Sequence, residues 1–117
     1  MITGLSSALS SIQAHHRKMN VHANNTANVN TNGFKRDQAV IEEAGPGEVR
    51  VNVRKDMSSA PLDPWAPDSP DFEKELSNVD LADEMTGMIS TEIGYKANLT
   101  TIRTRDEMIG TLLDTLA

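Results

Sequence analysis

Residues 81–116, LADEMTGMISTEIGYKANLTTIRTRDEMIGTLLDTL, contain the pattern that decides the fold. A mostly apolar seam runs through them at alternating steps of 4 and 3 residues: Leu81, Met85, Met88, Glu92, Tyr95, Leu99, Ile102, Asp106, Ile109, Leu113 and Leu116. Side chains at this spacing share one face of a helix that packs against another helix. We therefore predict a long helix from about residue 80, with Ser77, Asn78 or Asp80 as its N-cap.

Three glycines, Gly87, Gly94 and Gly110, interrupt this helix. Each weakens it by about 1 kcal/mol relative to alanine. Something must therefore approach the helix closely at these positions, or its packing must compensate.

The N-terminal residues contain a second seam of the same period: Leu5, Leu9, Ile12, His16, Met19, Ala23 and Thr26. This seam predicts a helix over about residues 3–28, with Gly33 as a left-handed stop after it. An antiparallel pairing in which the numbers of facing residues sum to 121 or 122 places His16 opposite Asp106. Such a polar pair would fix the register, as buried polar groups do in coiled coils. The alternative is that the helices do not meet in the free protein and both side chains are solvated.

Between the helices, the alternation in EVRVNVRKD and the turn residues AGPG predict a β-hairpin, and a proline-rich acidic stretch follows it. The predicted organisation has four parts: residues 1–36 with the N-terminal helix and an Asn-rich signature, the hairpin over 37–57, a Pro-rich connector over 58–77 and the C-terminal helix over 78–117. The predicted fold class is mainly α, with long terminal helices in a coiled-coil-like antiparallel pair and the hairpin and connector between them.

Composition limits the function classes. The 117 residues include no cysteine and only four aromatic residues, so a core must rest on aliphatic side chains. No apolar run is long enough to span a bilayer, and the N-terminus lacks the pattern of a Sec-type signal peptide. Residues 1–36 carry +4, residues 37–84 carry −9 and residues 85–117 carry −1, which gives the net charge of −6. Four scattered cations are a weak footprint for nucleic acid, so no nucleic-acid partner is expected.

The asparagines after the first helix become interpretable by comparison with a family. The stretch ANNTANVNTNGFKR, residues 23–36, resembles the N-terminal signature of the bacterial flagellar axial proteins of the rod and hook. Residues 77–116 resemble the C-terminal signature of the same family. The short connector resembles the short proximal-rod members most.

This resemblance implies a structural subunit of the flagellar basal-body rod in the periplasm. It implies export through the flagellar type III apparatus without a cleaved signal peptide. Its partners would be further copies of itself, other rod and hook subunits and the export apparatus. The alternative is a non-polymerising helical adaptor or assembly regulator derived from the same family.

The residues expected to contact neighbouring subunits include four asparagines. Asn20, Asn24 and Asn28 share one helix face, where their amides can bond a neighbour, and Asn25 adjoins them. For Asn28 the alternative is a role in the helix end and the turn. The other expected assembly residues are Leu5, Leu9, Ile12, Met88, Tyr95, Asn98, Leu99, Ile102, Ile109 and Leu113.

Catalysis is not expected. His15 and His22 share a helix face, yet no carboxylate occurs before Asp37 and the i, i+4 histidine pairing of a helical zinc site is absent. No phosphate loop or nucleophile motif is present. The sequence predicts no enzyme, no metal, no cofactor and no small-molecule substrate.

Overall fold

The computed structural model describes residues 2–65 and 75–116. Helix α1 spans Ile2–Ala27, strands β1 and β2 span Asp37–Gly45 and Glu48–Lys55, and helix α2 spans Leu81–Leu116. The two long helices and the hairpin between them thus occur in the predicted order. Part of the predicted Pro-rich connector, residues 66–74, lies outside the described residues.

The helix and strand ends follow local rules. Asp80 is the N-cap of α2, because its Oδ1 accepts hydrogen bonds from the backbone N–H groups of Ala82 and Asp83 at 2.8 and 3.4 Å. Gly33 has a φ of 70°, and Gly47 in the hairpin turn has a φ of 76°. Only glycine adopts this left-handed region without strain, so both turns need it.

The helices run antiparallel, but in a register that the sequence analysis did not predict. Four close approaches define it: Gly4 with Arg105, His15 with Gly94, His22 with Gly87, and Asn25 with Glu84. The numbers in each pair sum to 109, whereas the predicted register required 121 or 122. The two helices are therefore shifted by 12 or 13 residues from the predicted alignment.

The faces in contact also differ from those predicted. On each helix the contacting residues precede the seam residues by one position, as Gly4 precedes Leu5 and Gly94 precedes Tyr95. One residue corresponds to a rotation of about 100°. Because the helices are antiparallel, this rotation turns both seams toward the same side of the helix pair.

The hairpin packs against the other side of α1. Its β2 strand donates from Val49 N to Ser10 Oγ at 3.4 Å, and its turn lies near Ser7. The α1 residues on the hairpin side are Ser7, Ser10 and the buried Ala14. Each lies one position before a residue that faces α2, whereas each seam residue lies one position after such a residue. The chain therefore has the hairpin on one side of α1 and the two seams on the other.

The predicted fold class is corrected accordingly. The described chain is 58% helical, and it combines two helices with an antiparallel hairpin that packs along α1. The helix pair is not coiled-coil-like, since small and polar residues rather than leucines lie between the helices. Small side chains allow the helix axes to approach closely, and this favours the observed faces over the leucine seams.

Little apolar surface is buried within the described residues. The buried apolar residues there are three alanines, Ala8, Ala14 and Ala60. Asn25 and Thr91 are the largest side chains that are completely buried, with 0% and 2% exposure. No helix within residues 2–65 or 75–116 combines the length and hydrophobicity that a membrane crossing requires.

Candidate assembly surface and helix junction

The two seams together form one open apolar face. Several of its large side chains are exposed by 42% or more: Leu5, Leu9, Leu81, Met85, Leu99, Ile109, Leu113 and Leu116. A groove of about 770 Å³ runs between the helices on this side, where Leu5 of α1 lies beside Leu99, Ile102 and Ile109 of α2. We call these seam residues of both helices the apolar face.

Helix α2 extends beyond its partner. In the observed register the first residue of α1, Ile2, is level with residue 107 of α2. Residues 108–116 therefore have no helix beside them within the described chain. Leu112, Leu113 and Leu116 in this overhang are 54%, 62% and 85% exposed. Exposed apolar surface of this extent, on a molecule 78 Å long, is typical of a subunit that neighbours cover.

In the Asn-rich stretch, Asn25 forms a buried set of hydrogen bonds, which we call the lock, rather than a surface contact. Asn25 is completely buried. Its Nδ2 donates to the carbonyl of Asp37 at 2.7 Å and to Glu84 Oε1 at 3.0 Å, and its Oδ1 accepts from the N–H of Asp37 at 2.9 Å. One amide thereby joins the end of α1, the start of β1 and the first turn of α2, which only a side chain with both donors and an acceptor can do.

Glu84 extends this lock to a histidine. Its Oε2 lies 2.5 Å from His22 Nδ1, and its side chain is only 5% exposed. A cleft of about 280 Å³ beside this pair is lined by further charged residues: Lys18, Arg36, Asp37 and Asp83. The buried carboxylate is thus held by hydrogen bonds from two side chains of α1, as a buried charge requires.

A second asparagine fixes the chain before α2. Asn78 Oδ1 accepts from the N–H of Arg36 at 2.7 Å, and its Nδ2 donates to the carbonyl of Asp56 at 2.9 Å. The segment preceding β1 and the segment following β2 are therefore tied to the same amide. Lys35 Nζ also donates to Glu75 Oε2 at 2.5 Å, which joins the segment preceding β1 to the segment preceding α2.

Arg36 and Asp56 form the main ion pair of this junction, with 3.0 Å between Nε and Oδ2. The backbone N–H of Ser58 and the Arg36 side chain lower the pKa of Asp56 to about 2. The hydrogen bond to Asp56 raises the pKa of Arg36. Both groups therefore stay charged throughout the neutral range.

The structure separates the predicted contact residues into three groups. Asn20, Asn24, Leu5, Leu9, Leu99, Ile109 and Leu113 are exposed, Asn25 is buried, and Ile12, Asn28, Met88, Tyr95, Asn98 and Ile102 are half-buried. Two asparagines bond the carbonyl four residues earlier in the chain: Asn28, just past α1, donates from Nδ2 to Asn24 at 2.8 Å, and Asn98 of α2 donates from Nδ2 to Gly94 at 2.9 Å. Asn28 also accepts from Thr31 Oγ1 at 3.1 Å, so it organises the end of α1.

The predicted register pair is not brought together. His16 and Asp106 are both exposed, and the observed register places them about thirteen positions apart along the helix pair. The prediction is wrong because it aligned the leucine seams, whereas the helices meet through the residues one position earlier.

Sequence reasoning missed the residues that set the real register. His15, His22, Glu84, Gly87 and Gly94 lie between the helices. The glycines gave a usable signal, since close approach was one of the two reasons considered for them. In the part of the chain that the structure describes, no three His, Asp, Glu or Cys side chains converge as metal ligands would.

Comparisons with known proteins match both ends of the chain. Residues 5–35 match the family described as flagella basal body rod protein. Residues 75–115 match the family described as flagellar basal body rod FlgEFG protein C-terminal. The chain belongs to the flagellar basal-body rod and hook family.

Two curated relatives are similar to part of the chain. The flagellar basal-body rod protein FlgG of Buchnera aphidicola subsp. Baizongia pistaciae is 54% identical over 43 residues, which are 37% of this chain and 16% of that protein. The flagellar hook protein FlgE of Treponema pallidum is 51% identical over 39 residues, which are 33% of this chain and 8% of that protein. The chain thus matches less than a fifth of either relative. The family is one of structural flagellar proteins, as the sequence predicted.

Proposed function

We propose that this chain is a structural subunit of the bacterial flagellar basal-body rod. It is exported by the flagellar type III apparatus without a cleaved signal peptide and assembles helically through its terminal helices. Its place is the periplasmic part of the basal body, among further copies of itself and other rod and hook subunits.

The open apolar face is the observation that supports this proposal most. The helices meet through small and polar residues, so the apolar seams of both remain free for contacts between chains. A leucine that becomes buried at such a contact contributes about 2 kcal/mol. Several leucines contributed by each of two neighbours would hold a stack together without any further chemistry.

Matched substitutions on α2 test the role of the apolar face. Leu99→Ser removes a side chain of the apolar face that is 43% exposed, and Ile93→Ser removes one that is 64% exposed but lies off this face. Both should leave the fold of the free chain intact. Only the exposed 43% of Leu99 is left for a neighbour to bury, so Leu99→Ser should weaken association about 4-fold and reduce the chain's incorporation into basal bodies. Equal incorporation of Leu99→Ser and wild type would remove the apolar face from the assembly contacts.

Truncation tests the wider assignment. Loss of residues 1–28 or 90–117 removes one seam or most of the other, so neither product should enter basal bodies or support motility. Normal motility of either truncated chain would overturn the rod proposal. In sedimentation, assemblies that grow with concentration support a polymerising subunit, whereas one complex of fixed size supports the adaptor or regulator instead.

A further inference from the structure

Two histidines of α1 occupy space above two glycines of α2. A Cβ atom added at Gly94 would lie 2.6 Å from Cε1 of His15, and one added at Gly87 would lie 2.5 Å from Cε1 of His22. Side chains essentially never approach a Cβ so closely. In its observed position each ring therefore requires a facing residue without a side chain, which makes each glycine a notch for one histidine.

The two notches act together because their spacings match. His15 and His22 are seven residues apart, and so are Gly87 and Gly94. Sliding α2 by seven residues in one direction seats His22 over Gly94 but brings His15 against Thr101. Sliding it the other way seats His15 over Gly87 but brings His22 to Asp80, before α2 begins. Only the observed register seats both rings.

The histidines differ in their electrostatic surroundings. His22 has a carboxylate partner, Glu84, which can balance a positive charge on the ring. His15 Nδ1 is buried without a hydrogen-bond partner, and the charged group that acts on His15 is the like-charged Lys18 of its own helix.

Two carboxylates on the neighbouring elements already have cationic partners. On α2, Glu92 pairs with Lys96 at 2.6 Å. On the hairpin, Glu42 pairs with Arg54 at 3.4 Å and with Arg50 at 4.0 Å. A proton on His15 would therefore create a charge that none of these carboxylates is free to balance.

We propose that His15 over Gly94 and His22 over Gly87 form a two-point latch that holds α1 and α2 in one register at neutral pH and releases them in mild acid. The latch belongs to the free chain and does not depend on the proposed function. Its trigger is His15, and His22 serves as the second anchor.

The direction of the pH effect follows from His15. Burial lowers the pKa of His15 from its ordinary 6.5, and Lys18 lowers it further. The separated helices therefore bind more protons than the paired helices below pH 6.5. The stabilisation by His15 is complete above this pH and is lost as the pH falls through 6.5 toward the value in the paired state.

Glycine substitutions test the notches. Gly110 lies on the same helix and has nothing within 4 Å of an added Cβ, so it is the matched control. Gly110→Ala should raise the Tm by a few degrees through helix propensity, whereas Gly94→Ala should lower it. In a His15→Ala background the clash is gone, so Gly94→Ala should raise the Tm as Gly110→Ala does. If Gly94→Ala raises the Tm in the wild-type background too, the latch is ruled out.

Distance measurements test the release. The chain has no cysteine, so Gln13→Cys and Ala97→Cys introduce the only two thiols for spin labels on neighbouring turns of the helix pair and leave the Glu92–Lys96 pair intact. We expect one narrow distance distribution at pH 7.5 and a broad, longer one at pH 5.5. The same labels in a His15→Gln chain should keep the narrow distribution at both values, while the exposed control His16→Gln should open like wild type. Opening of the His15→Gln chain at pH 5.5 would exclude His15 as the trigger.

Discussion

Replacement of Asn25 by alanine tests the buried lock between the end of α1, β1 and α2. The change removes three hydrogen bonds, at 2.7, 2.9 and 3.0 Å, and leaves Asp37 and the Glu84 carboxylate without these partners. Two neutral hydrogen bonds contribute about 1 kcal/mol each, and the bond to the carboxylate contributes about 2 kcal/mol. Alanine returns about 0.6 kcal/mol of helix propensity, so the net loss should be about 3 kcal/mol.

The control for this change is the preceding residue. Asn24 is exposed, and none of its side-chain atoms takes part in the hydrogen bonds described for residues 2–65 and 75–116. Asn24→Ala should therefore leave the free energy of unfolding unchanged or raise it by about 0.5 kcal/mol. Urea unfolding of the free chain, followed by circular dichroism at pH 7, measures both variants.

An isosteric change separates the lock from packing. Asn25→Asp keeps the shape but replaces the donor with an oxygen that faces the carbonyl of Asp37 and the carboxylate of Glu84. This variant should be at least as unstable as Asn25→Ala. The reasoning is refuted if Asn25→Ala costs no more stability than Asn24→Ala, or if Asn25→Asp unfolds at the wild-type urea concentration.

Three further outcomes are expected. Asn24→Ala with Asn28→Ala should impair incorporation into basal bodies more than it changes the urea midpoint, and normal assembly would limit these side chains to local roles at the helix end. Asp56→Asn should flatten the acid-unfolding curve between about pH 4 and pH 2. The lowered pKa of Asp56 means that its contribution to stability is complete above its ordinary pKa of 3.8 and is lost as the pH falls toward about 2. An unchanged curve would contradict this. Asn78→Ala should lower the free energy of unfolding by about 2 kcal/mol through its bonds to Arg36 and Asp56, as measured by the urea midpoint, and an effect below 0.5 kcal/mol would rule out a role in the junction.

Periodicity identified the helices and the hairpin because these depend on local spacing and on turn residues. Asp80 and Gly33 were predictable for the same reason, since a cap and a left-handed stop are determined within a few residues. The surface that packs against each helix face was not predictable from local spacing. Leucine spacing shows that the seam will be covered, but not whether the covering surface belongs to the same chain or to another.

The Asn-rich stretch shows a different limit. Its residues all have the same hydrogen-bonding groups, yet Asn25 is buried, Asn24 is exposed and Asn28 bonds its own helix. Their roles depend on the rotation of α1 relative to β1 and α2, which composition does not contain. The glycines gave more information about packing than the asparagines. Gly87 and Gly94 weaken the helix, which indicates that another part of the protein approaches the helix closely there.

The overhang of α2 has a mechanical consequence for a stack of such chains. Units that meet only end to end separate at the plane between them when the stack is bent or twisted. Residues 108–116, which extend past α1, provide about 14 Å of helix at 1.5 Å per residue that a neighbour can overlap. In the stack proposed above, torque would pass along the flanks of overlapping helices as shear, and the leucines of the overhang would bear that load where one chain continues into the next.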